Sequence, residues 1–271
     1  MITTDFVPGS PCWLDLGAPD VEVATAFYRA VFGWRSEPHG DQDAGGYTLF
    51  RLDGTAVGAV GPLPEEGARS AWTLYFHTPD AEATAKAVEQ AGGSVRSAPA
   101  PVGADDGRFA RLADPQGAEF AVWQPVRYPG IETADGAGSL CWTELYTTDP
   151  AAAQTFYTTV FGWSTQDMPL PGGGGIYTLL TPAGCGEDRM HGGLMGVPAD
   201  LLGPGGKPYW HPVFGSKDCD ATVGLVTGNG GTLSMGPETA AGVGRLAVCN
   251  DSSGAEFVVL TPEGDLGSGA L

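Results

Sequence analysis

The stretch Phe27-Tyr28, followed by Phe32-Gly33-Trp34, occurs a second time 129 positions further on, as Phe156-Tyr157 followed by Phe161-Gly162-Trp163. Similar residues in the same order along both halves of a chain indicate gene duplication. The chain is therefore built from two copies of one sequence unit.

The match extends towards both ends of each copy. Cys12-Trp13 precedes the first aromatic segment, and Cys141-Trp142 precedes the second at the same shift. The closing segments, residues 107–120 and 244–257, share Gly-Arg, a later Asp and Gly-Ala-Glu-Phe, and they are 137 positions apart. The larger shift indicates that the second copy has gained loop residues between these matches.

Length and repeat together predict the domain organisation. A chain of 271 residues accommodates two domains of ordinary size, and its 42% of hydrophobic residues is enough for two modest cores. The segment 126–137 contains Gly and Pro and shows no periodicity, as expected of a linker. The predicted domains are residues 1–125 and 138–271.

The composition excludes several kinds of partner. A net charge of −19 repels nucleic acid and anionic membrane surfaces, since both are bound through Lys and Arg. The sequence has no run of about 20 apolar residues and no basic, apolar leader. Five cysteines without a Cys-x-x-Cys pair argue against a full disulfide framework. We expect a cytoplasmic protein with neither nucleic acid nor membrane as a partner.

Each copy is predicted to contain two helices, each preceded by a strand. Asp caps helix N-termini by accepting backbone N–H bonds, and Gly turns left-handed at C-termini. Phe27, Tyr28 and Val31 fall at helical spacing on one buried face. Short alternating runs between the helices indicate strands, so the predicted class is α+β. The predicted helix starts and stops are Asp20 to Gly33, Asp80 to Gly92, Asp149 to Gly162 and Asp218 to Gly230.

Three motifs carry a resemblance to a known family: Asp20 with Phe27-Tyr28, Phe32-Gly33-Trp34, and Asp114-Pro115-Gln116-Gly117. The chain resembles the vicinal oxygen chelate superfamily of glyoxalases, bleomycin-resistance proteins and extradiol dioxygenases, in particular its two-domain glyoxalase-like or hydroxylase-labelled members. The resemblance implies tandem glyoxalase-like domains, each of two βαβββ modules that curl a mixed sheet into a cup. In this family the cup holds a metal, a substrate or a sequestered drug, so the fold alone does not define the activity.

The resemblance also implies where a metal would be bound. Metal-dependent members carry His, Glu or Gln on the first and last strands of each module. A transition metal needs about three or four N, O or S ligands. The matching positions supply a single His, so we predict no metal and no other cofactor, and a divalent metal is disfavoured. These positions hold Trp13, Thr73, Ala121, Trp142, His211 and Val258.

Strand alternation predicts which side chains share the inside of each cup, because residues two apart point the same way. Each cup is predicted to hold a Trp and two carboxylates, and aromatic walls with a few polar groups are typical of small-molecule pockets. The candidates for acid–base chemistry are Asp15, Glu119, Glu144, Glu256, His77 and His211. The candidates for ligand binding are Trp13, Trp72, Tyr75, Trp123, Trp142 and Tyr146.

Each candidate also has a structural interpretation. The carboxylates can bond the backbone or pair with Arg108 or Arg245, because ion-pair networks also occur outside active sites. Trp13 and Trp142 can be plugs that fill the space of a lost metal, since packed interiors tolerate few voids. The two histidines can line a pocket without transferring protons.

These residues favour a metal-free protein that binds a natural product or aromatic metabolite, as antibiotic-sequestering relatives do. The alternative is a metal-independent isomerase, cyclase or hydroxylase-like enzyme that uses the carboxylates with His77 or His211 as acid and base. A glyoxalase-like metalloenzyme would need His191 and His211 with Glu144 or Glu256. A fourth hypothesis is an interaction protein whose cups are vestigial. Domains of this family often pair across a dimer, so the chain is expected to be a monomer or a homodimer.

Overall fold

The computed structural model of the chain describes residues 1–39, 46–63, 65, 67–170, 174–202 and 206–264. These residues form sixteen strands, four α-helices and a 3-10 helix at Glu187–Arg189. Within that part of the chain, every helix is too short or too polar to span a lipid bilayer.

The two sequence copies contain the same elements in the same order. The first copy forms β1 (Pro11–Ala18), α1 (Val21–Phe32), β2 (Arg35–Pro38), β3 (Thr48–Leu52), β4 (Thr55–Pro62), β5 (Ala71–His77), α2 (Ala81–Gln90), β6 (Ser94–Val102), β7 (Gly107–Ala113) and β8 (Glu119–Pro125). The second copy forms β9 (Leu140–Thr147), α3 (Pro150–Phe161), β10 (Ser164–Pro169), β11 (Ile176–Thr181), β12 (Gly192–Gly196), β13 (Tyr209–Gly215), α4 (Cys219–Gly228), β14 (Thr232–Ala240), β15 (Gly244–Asn250) and β16 (Glu256–Pro262). Each copy is thus two βαβββ modules.

The helices begin and end close to the residues that predict them. The Asp20 carboxylate accepts hydrogen bonds from two backbone N–H groups of the first turn of α1, and Gly33 ends the helix with a left-handed φ of 74°. Such bonds satisfy N–H groups that have no partner within the helix. The other three helices are capped in the same way, by Asp80, Asp149 and Asp218.

The strands form two mixed eight-stranded sheets, one from β1–β8 and one from β9–β16, which confirms the α+β class. The four strands of each module are adjacent, in the orders β2-β3-β4-β1, β5-β8-β7-β6, β10-β11-β12-β9 and β13-β16-β15-β14. The first strand of each module runs parallel to its neighbour, as in β5 with β8 and β13 with β16. The other pairs, such as β7 with β8 and β15 with β16, are antiparallel.

The chain divides into two compact units, and each contains residues from both sequence copies. Unit 1 comprises residues 1–13, 74–130 and 143–210, and unit 2 comprises residues 14–73, 131–142 and 211–271. The boundaries of these units differ from those of the predicted domains, which follow the sequence copies. The boundary at residues 126–137 stays a prediction about those copies.

The core of unit 2 is organised around Trp34, whose side chain is buried. Its ring is stacked on that of Tyr28, with centroids 5.2 Å apart, and its Nε1 donates a hydrogen bond to Gly138 O at 2.8 Å. The Tyr28 hydroxyl donates to Asp251 Oδ2 at 3.2 Å and accepts a bond from Trp72 Nε1 at 3.0 Å. The structure therefore places Trp72, a predicted ligand-binding residue, in the core of this unit.

The core of unit 1 repeats this arrangement with the matching residues. Trp163 is stacked on Tyr157 at 5.3 Å and donates from Nε1 to Gly9 O at 2.9 Å. The Tyr157 hydroxyl donates to Asp114 Oδ2 at 3.3 Å and accepts a bond from Trp210 Nε1 at 2.8 Å. Burial raises the pKa of the Asp114 carboxyl, as it does for the matching aspartate of unit 2. Each core thus contains a stacked Trp–Tyr pair and a buried chain of hydrogen bonds from Trp to Tyr to Asp.

Candidate functional site

Unit 2 contains an apolar strand face that is only partly covered. Val213 on β13 and Val248 on β15 are both paired with Val258 on β16. These three valines are buried together with Cys141, and three larger apolar side chains pack against them and stay half-buried. The larger side chains are Trp142, Leu246 and Leu260. We call these seven residues the β13–β16–β15 face.

A histidine–carboxylate pair adjoins this face. His211 Nδ1 lies 2.8 Å from Glu256 Oε1. Each of the two residues is two positions before a valine of the face on its own strand, so alternation puts them on the same side of the sheet. The His211 side chain is 1% exposed and the Glu256 side chain is 24% exposed. Glu256 is therefore the accessible group of the pair, and His211 is the buried residue that holds it in place.

The corresponding strands of unit 1 carry a closed aromatic face. Trp13, Tyr75 and Trp123 are each only 7% exposed. Trp13 packs edge-on against Tyr128 with ring centroids 5.4 Å apart, and Trp123 Nε1 donates a hydrogen bond to Tyr128 O at 2.8 Å. Gly107 lies against the Trp123 ring, where an added Cβ would be 2.5 Å from the indole. The structure thus buries Trp13, Tyr75 and Trp123, three of the predicted ligand-binding residues, within the packing of unit 1.

Backbone hydrogen bonds hold Tyr128 in place in unit 1. Its own N–H and that of Val126 donate to Asp106 O, each at 3.1 Å.

Two differences in residue size explain why one face is closed and the other half open. The repeat places Leu260 in the second copy where the first has Trp123. It likewise places Val213 where the first copy has Tyr75. The smaller side chains leave the β13–β16–β15 face less completely covered.

Two other predicted carboxylates have partners within their own units. In unit 2, Tyr47 Oη donates to Asp15 Oδ2 at 3.3 Å. In unit 1, Glu119 Oε1 lies 3.6 Å from Arg96 Nε, and both side chains are exposed. An exposed ion pair of this kind contributes little to stability. Asp15 is half-buried like Glu256 and Glu119 is exposed, but neither of these two contacts joins the carboxylate to a buried imidazole, as in the His211–Glu256 pair.

The arginines that the structural interpretation assigned to the carboxylates bind other residues. Arg108 Nη2 donates to Glu82 Oε1 at 2.8 Å, and Arg245 Nη2 donates to Asp220 Oδ1 at 2.7 Å. Both pairs are on the surface, between a helix and a strand of one module. The predicted pairing is thus corrected to Glu82 and Asp220, because these acids lie in the first turns of α2 and α4, beside β7 and β15.

The remaining candidates lie in unit 1. Glu144 is half-buried on β9, and Tyr146 packs edge-on against Tyr209 with ring centroids 5.8 Å apart. His77 is half-buried, and burial lowers the pKa of its imidazole. The His77 Nδ1 atom has no hydrogen-bond partner among the described residues. The structure gives these residues no shared geometry that suggests a reaction.

Of the predicted residues, the structure brings together Trp142, His211 and Glu256 in unit 2. Sequence reasoning missed Leu246, although its alternation with Val248 along β15 was a usable signal. It also missed the role of Tyr128, which lies in the predicted linker and carries no periodic pattern.

Comparison with known proteins identifies the family. A family model described as a glyoxalase-like domain matches residues 13–123. The chain is 37% identical to the anthracycline biosynthesis protein DnrV of Streptomyces peucetius, over 95% of this chain and 94% of that protein. The chain belongs to the vicinal oxygen chelate superfamily. Within this superfamily it has the tandem glyoxalase-like organisation that the repeat predicted.

Solved structures of other superfamily members share the fold. The 2,3-dioxygenase LapB from Pseudomonas sp. KL28 superposes with a TM-score of 0.64 at 17% identity, covering 94% of this chain and 93% of that one. The Mn(II)-bound glyoxalase from Novosphingobium aromaticivorans superposes with a TM-score of 0.61 at 18% identity, covering 96% and 85%. At these identities the comparison concerns the fold alone.

One structural relative in the superfamily binds Mn(II). Among the described residues, no three His, Cys, Asp or Glu side chains are grouped so as to hold a metal ion. His191, which a metalloenzyme would need, is fully buried against Trp163, with ring centroids 4.8 Å apart. Since a metal needs about three or four ligands, the described residues do not fit one.

Proposed function

We propose that the chain is a metal-independent binding protein for a planar aromatic small molecule, which it holds on the β13–β16–β15 face. The observation that carries this proposal is the half-open β13–β16–β15 face with the accessible Glu256 carboxylate beside it. Ligand sites are typically apolar surfaces with a few polar groups that fix orientation. The Trp142 ring supplies a stacking surface, and aromatic stacking adds about 0.5–1.5 kcal/mol beyond the area buried.

The Glu256 carboxylate defines the polar end of the ligand. A carboxylate accepts hydrogen bonds, so it favours a ligand with a phenolic hydroxyl or a protonated amine. His211 holds one carboxylate oxygen at 2.8 Å and so reduces the freedom that Glu256 would lose on binding. The similarity to an anthracycline biosynthesis protein supports a fused polycyclic ligand that carries such hydroxyls.

Filling the face should weaken ligand binding. Leu260→Trp places in unit 2 the residue that closes the face of unit 1. We expect it to weaken binding of the dihydroxyanthraquinone alizarin by at least about tenfold, because the added indole occupies the ligand's space. The binding is measured by isothermal titration calorimetry.

The matched control is Leu233→Trp, which adds the same side chain at an exposed position on β14. This variant should bind alizarin as the unmodified protein does, with one ligand per chain. Equal losses in both variants, or failure of the unmodified protein to bind either alizarin or daunorubicin, would contradict the proposal.

The His211–Glu256 pair also favours a second candidate function, acid–base catalysis on the bound molecule. A carboxylate that is held by a buried imidazole and open to the ligand is placed to remove a proton from an acidic carbon and return it. This would interconvert keto and enol forms without change in oxidation state.

The hypothesis of acid–base catalysis predicts exchange of acidic hydrogens for deuterium. In D₂O, a tetralone with acidic hydrogens next to its carbonyl should take up deuterium faster with the protein present, as followed by mass spectrometry. Glu256→Gln should lower this catalysed rate by about 10²–10⁴-fold, the usual contribution of a general base. Retained alizarin affinity in the same variant would show that the face is intact. Exchange at the rate of the buffer alone would leave binding as the function.

A further inference from the structure

The two copies differ sharply at one turn that their sequences otherwise share. In unit 1, Gln116 Oε1 accepts hydrogen bonds from Thr147 Oγ1, Thr148 Oγ1 and Asp149 N at 2.9–3.0 Å. Its Nε2 donates to Asp149 O at 3.0 Å. The side chain therefore fills the space between the Asp114 turn and the start of α3 with four hydrogen bonds.

None of these side-chain partners is present at the matching positions of unit 2. Gln116 corresponds to Ser253, and the two threonines correspond to Ala18 and Pro19. The backbone of the turn is unchanged, because Asp251 Oδ1 accepts from Ser253 N at 2.8 Å just as Asp114 Oδ1 accepts from Gln116 N at 2.9 Å. Unit 2 thus has the same turn as unit 1 but none of the three side chains that make these hydrogen bonds in unit 1.

The structure has a cavity of about 400 Å³ at this place in unit 2. A volume of this order lies within the range of roughly 300–1,000 Å³ that is usual for small-molecule sites. The residues of the wall are partly apolar and partly polar, and the polar ones are two serines and an arginine. The lining residues include Pro19, Leu63, Arg69, Ser70, Ser253 and Gly254.

The charge at this cavity is opposite to that of the chain. The sequence has 32 acidic residues against 13 Lys and Arg, yet the one charged residue that lines the described wall is Arg69. The ion pairs found within the described residues do not include Arg69. A guanidinium has a planar fork of donors that matches carboxylate and phosphate oxygens.

We infer that this cavity is a second binding site, separate from the β13–β16–β15 face, and that it takes a small organic anion. The anionic group contacts Arg69 and the Ser253 hydroxyl, and the apolar body lies against Pro19 and Leu63. Among the described residues, Gln116 occupies the matching space in unit 1, so the inference concerns unit 2.

Benzoate and phenyl phosphate are suitable probes, and benzyl alcohol is the neutral control of similar size. In nitrogen-15 NMR titrations of the full chain, we expect both anions to shift the amide signals of Ser70, Ser253 and Gly254, whereas benzyl alcohol does not. A response to only one of the two anions would show which anionic group the site accepts. Equal responses to all three probes, or no response at these residues, would identify an ordinary surface cleft and overturn the inference.

Two variants test the site independently of the proposed aromatic site. Arg69→Gln should weaken binding of the anion by at least about tenfold, as expected for the loss of a charge-assisted contact. Ser253→Gln should block the cavity by supplying the side chain present in unit 1. Arg127→Gln, which removes an exposed charge in unit 1, should change nothing. Both cavity variants should still bind alizarin, and anion binding unchanged by Arg69→Gln would overturn the inference.

Discussion

His191→Phe is expected to make the protein markedly less sensitive to acid. His191 is fully buried, and burial lowers the pKa of its imidazole from 6.5 to about 3. The folded state therefore keeps this group neutral at pH values where the unfolded state binds a proton. Stability that depends on neutral His191 is complete above pH 6.5 and is lost as the pH falls towards 3. The loss amounts to about 1.4 kcal/mol per pH unit, or about 5 kcal/mol in total.

The surroundings of His191 explain the choice of phenylalanine. The imidazole packs against the rings of Trp163 and Phe76, and its Nε2 has no hydrogen-bond partner within the described residues. Its Nδ1 lies 3.4 Å from Thr143 Oγ1, a distance at which a hydrogen bond is weak. A neutral ring of similar shape therefore keeps most of the packing and removes the proton site.

The test is urea unfolding of both proteins at pH 7 and pH 4.5. Between these values the unmodified protein should lose about 3 kcal/mol more stability than His191→Phe. His39→Phe is the control, because it makes the same substitution at a histidine outside the unit cores. Parallel pH profiles for the unmodified protein and His191→Phe would show that burial of this histidine does not govern acid stability.

Trp34→Ala and Trp163→Ala should each reduce the free energy of unfolding by about 3–5 kcal/mol, the usual loss for a buried tryptophan. Each ring is stacked on a tyrosine of its own core, and each Nε1 donates to a backbone carbonyl of a distant segment. The phenylalanine variants should lose about 1–3 kcal/mol, because they keep the aromatic packing but leave that carbonyl without its donor.

These losses are measured by urea unfolding followed by circular dichroism. Trp142→Phe is the matched control, since this ring is half-buried and belongs to the proposed binding face. It should cost less than about 1 kcal/mol, as is usual for a conservative apolar exchange. If Trp142→Phe proved as destabilising as Trp34→Ala, the distinction between core and binding aromatics would be wrong.

Much of the fold could be predicted because its signals are local. A capping aspartate and a terminal glycine mark each helix, and these signals depend only on hydrogen bonds within one turn. The duplication repeats these helix signals in the second copy, as with Asp20 and Asp149. Such signals can be recognised in the sequence because the residues involved are only a few positions apart.

The candidate site was predicted in part. Alternation along β13 and β16 correctly placed His211 and Glu256 on one face, because a strand fixes the direction of its side chains. Trp72 was assigned to ligand binding although it is out of phase with Thr73 and Tyr75 on the same strand, and it lies in the core. His211 is buried and Glu256 is accessible, and strand alternation does not show this difference because it gives the direction of a side chain but not its depth below the surface.

The composition of the compact units could not be predicted from the sequence. Both copies carry the same aromatic segment, so local pattern does not show which copy supplies the partners of Trp34 or Trp163. That choice depends on contacts between residues more than 100 positions apart, such as Trp34 with Gly138.

The reciprocal anchoring of the two tryptophans has a consequence for the history of the chain. Trp34 of the first copy donates a hydrogen bond to Gly138, in the segment that leads into the second copy. Trp163 of the second copy donates one to Gly9, in the segment that leads into the first. In an ancestor with one copy, two separate chains would have had to exchange these leading segments, as in a symmetric dimer. Covalent fusion converts that bimolecular encounter into an intramolecular one, with an effective concentration in the millimolar range. The fused chain therefore assembles both units at any dilution, whereas either copy alone would depend on its own abundance.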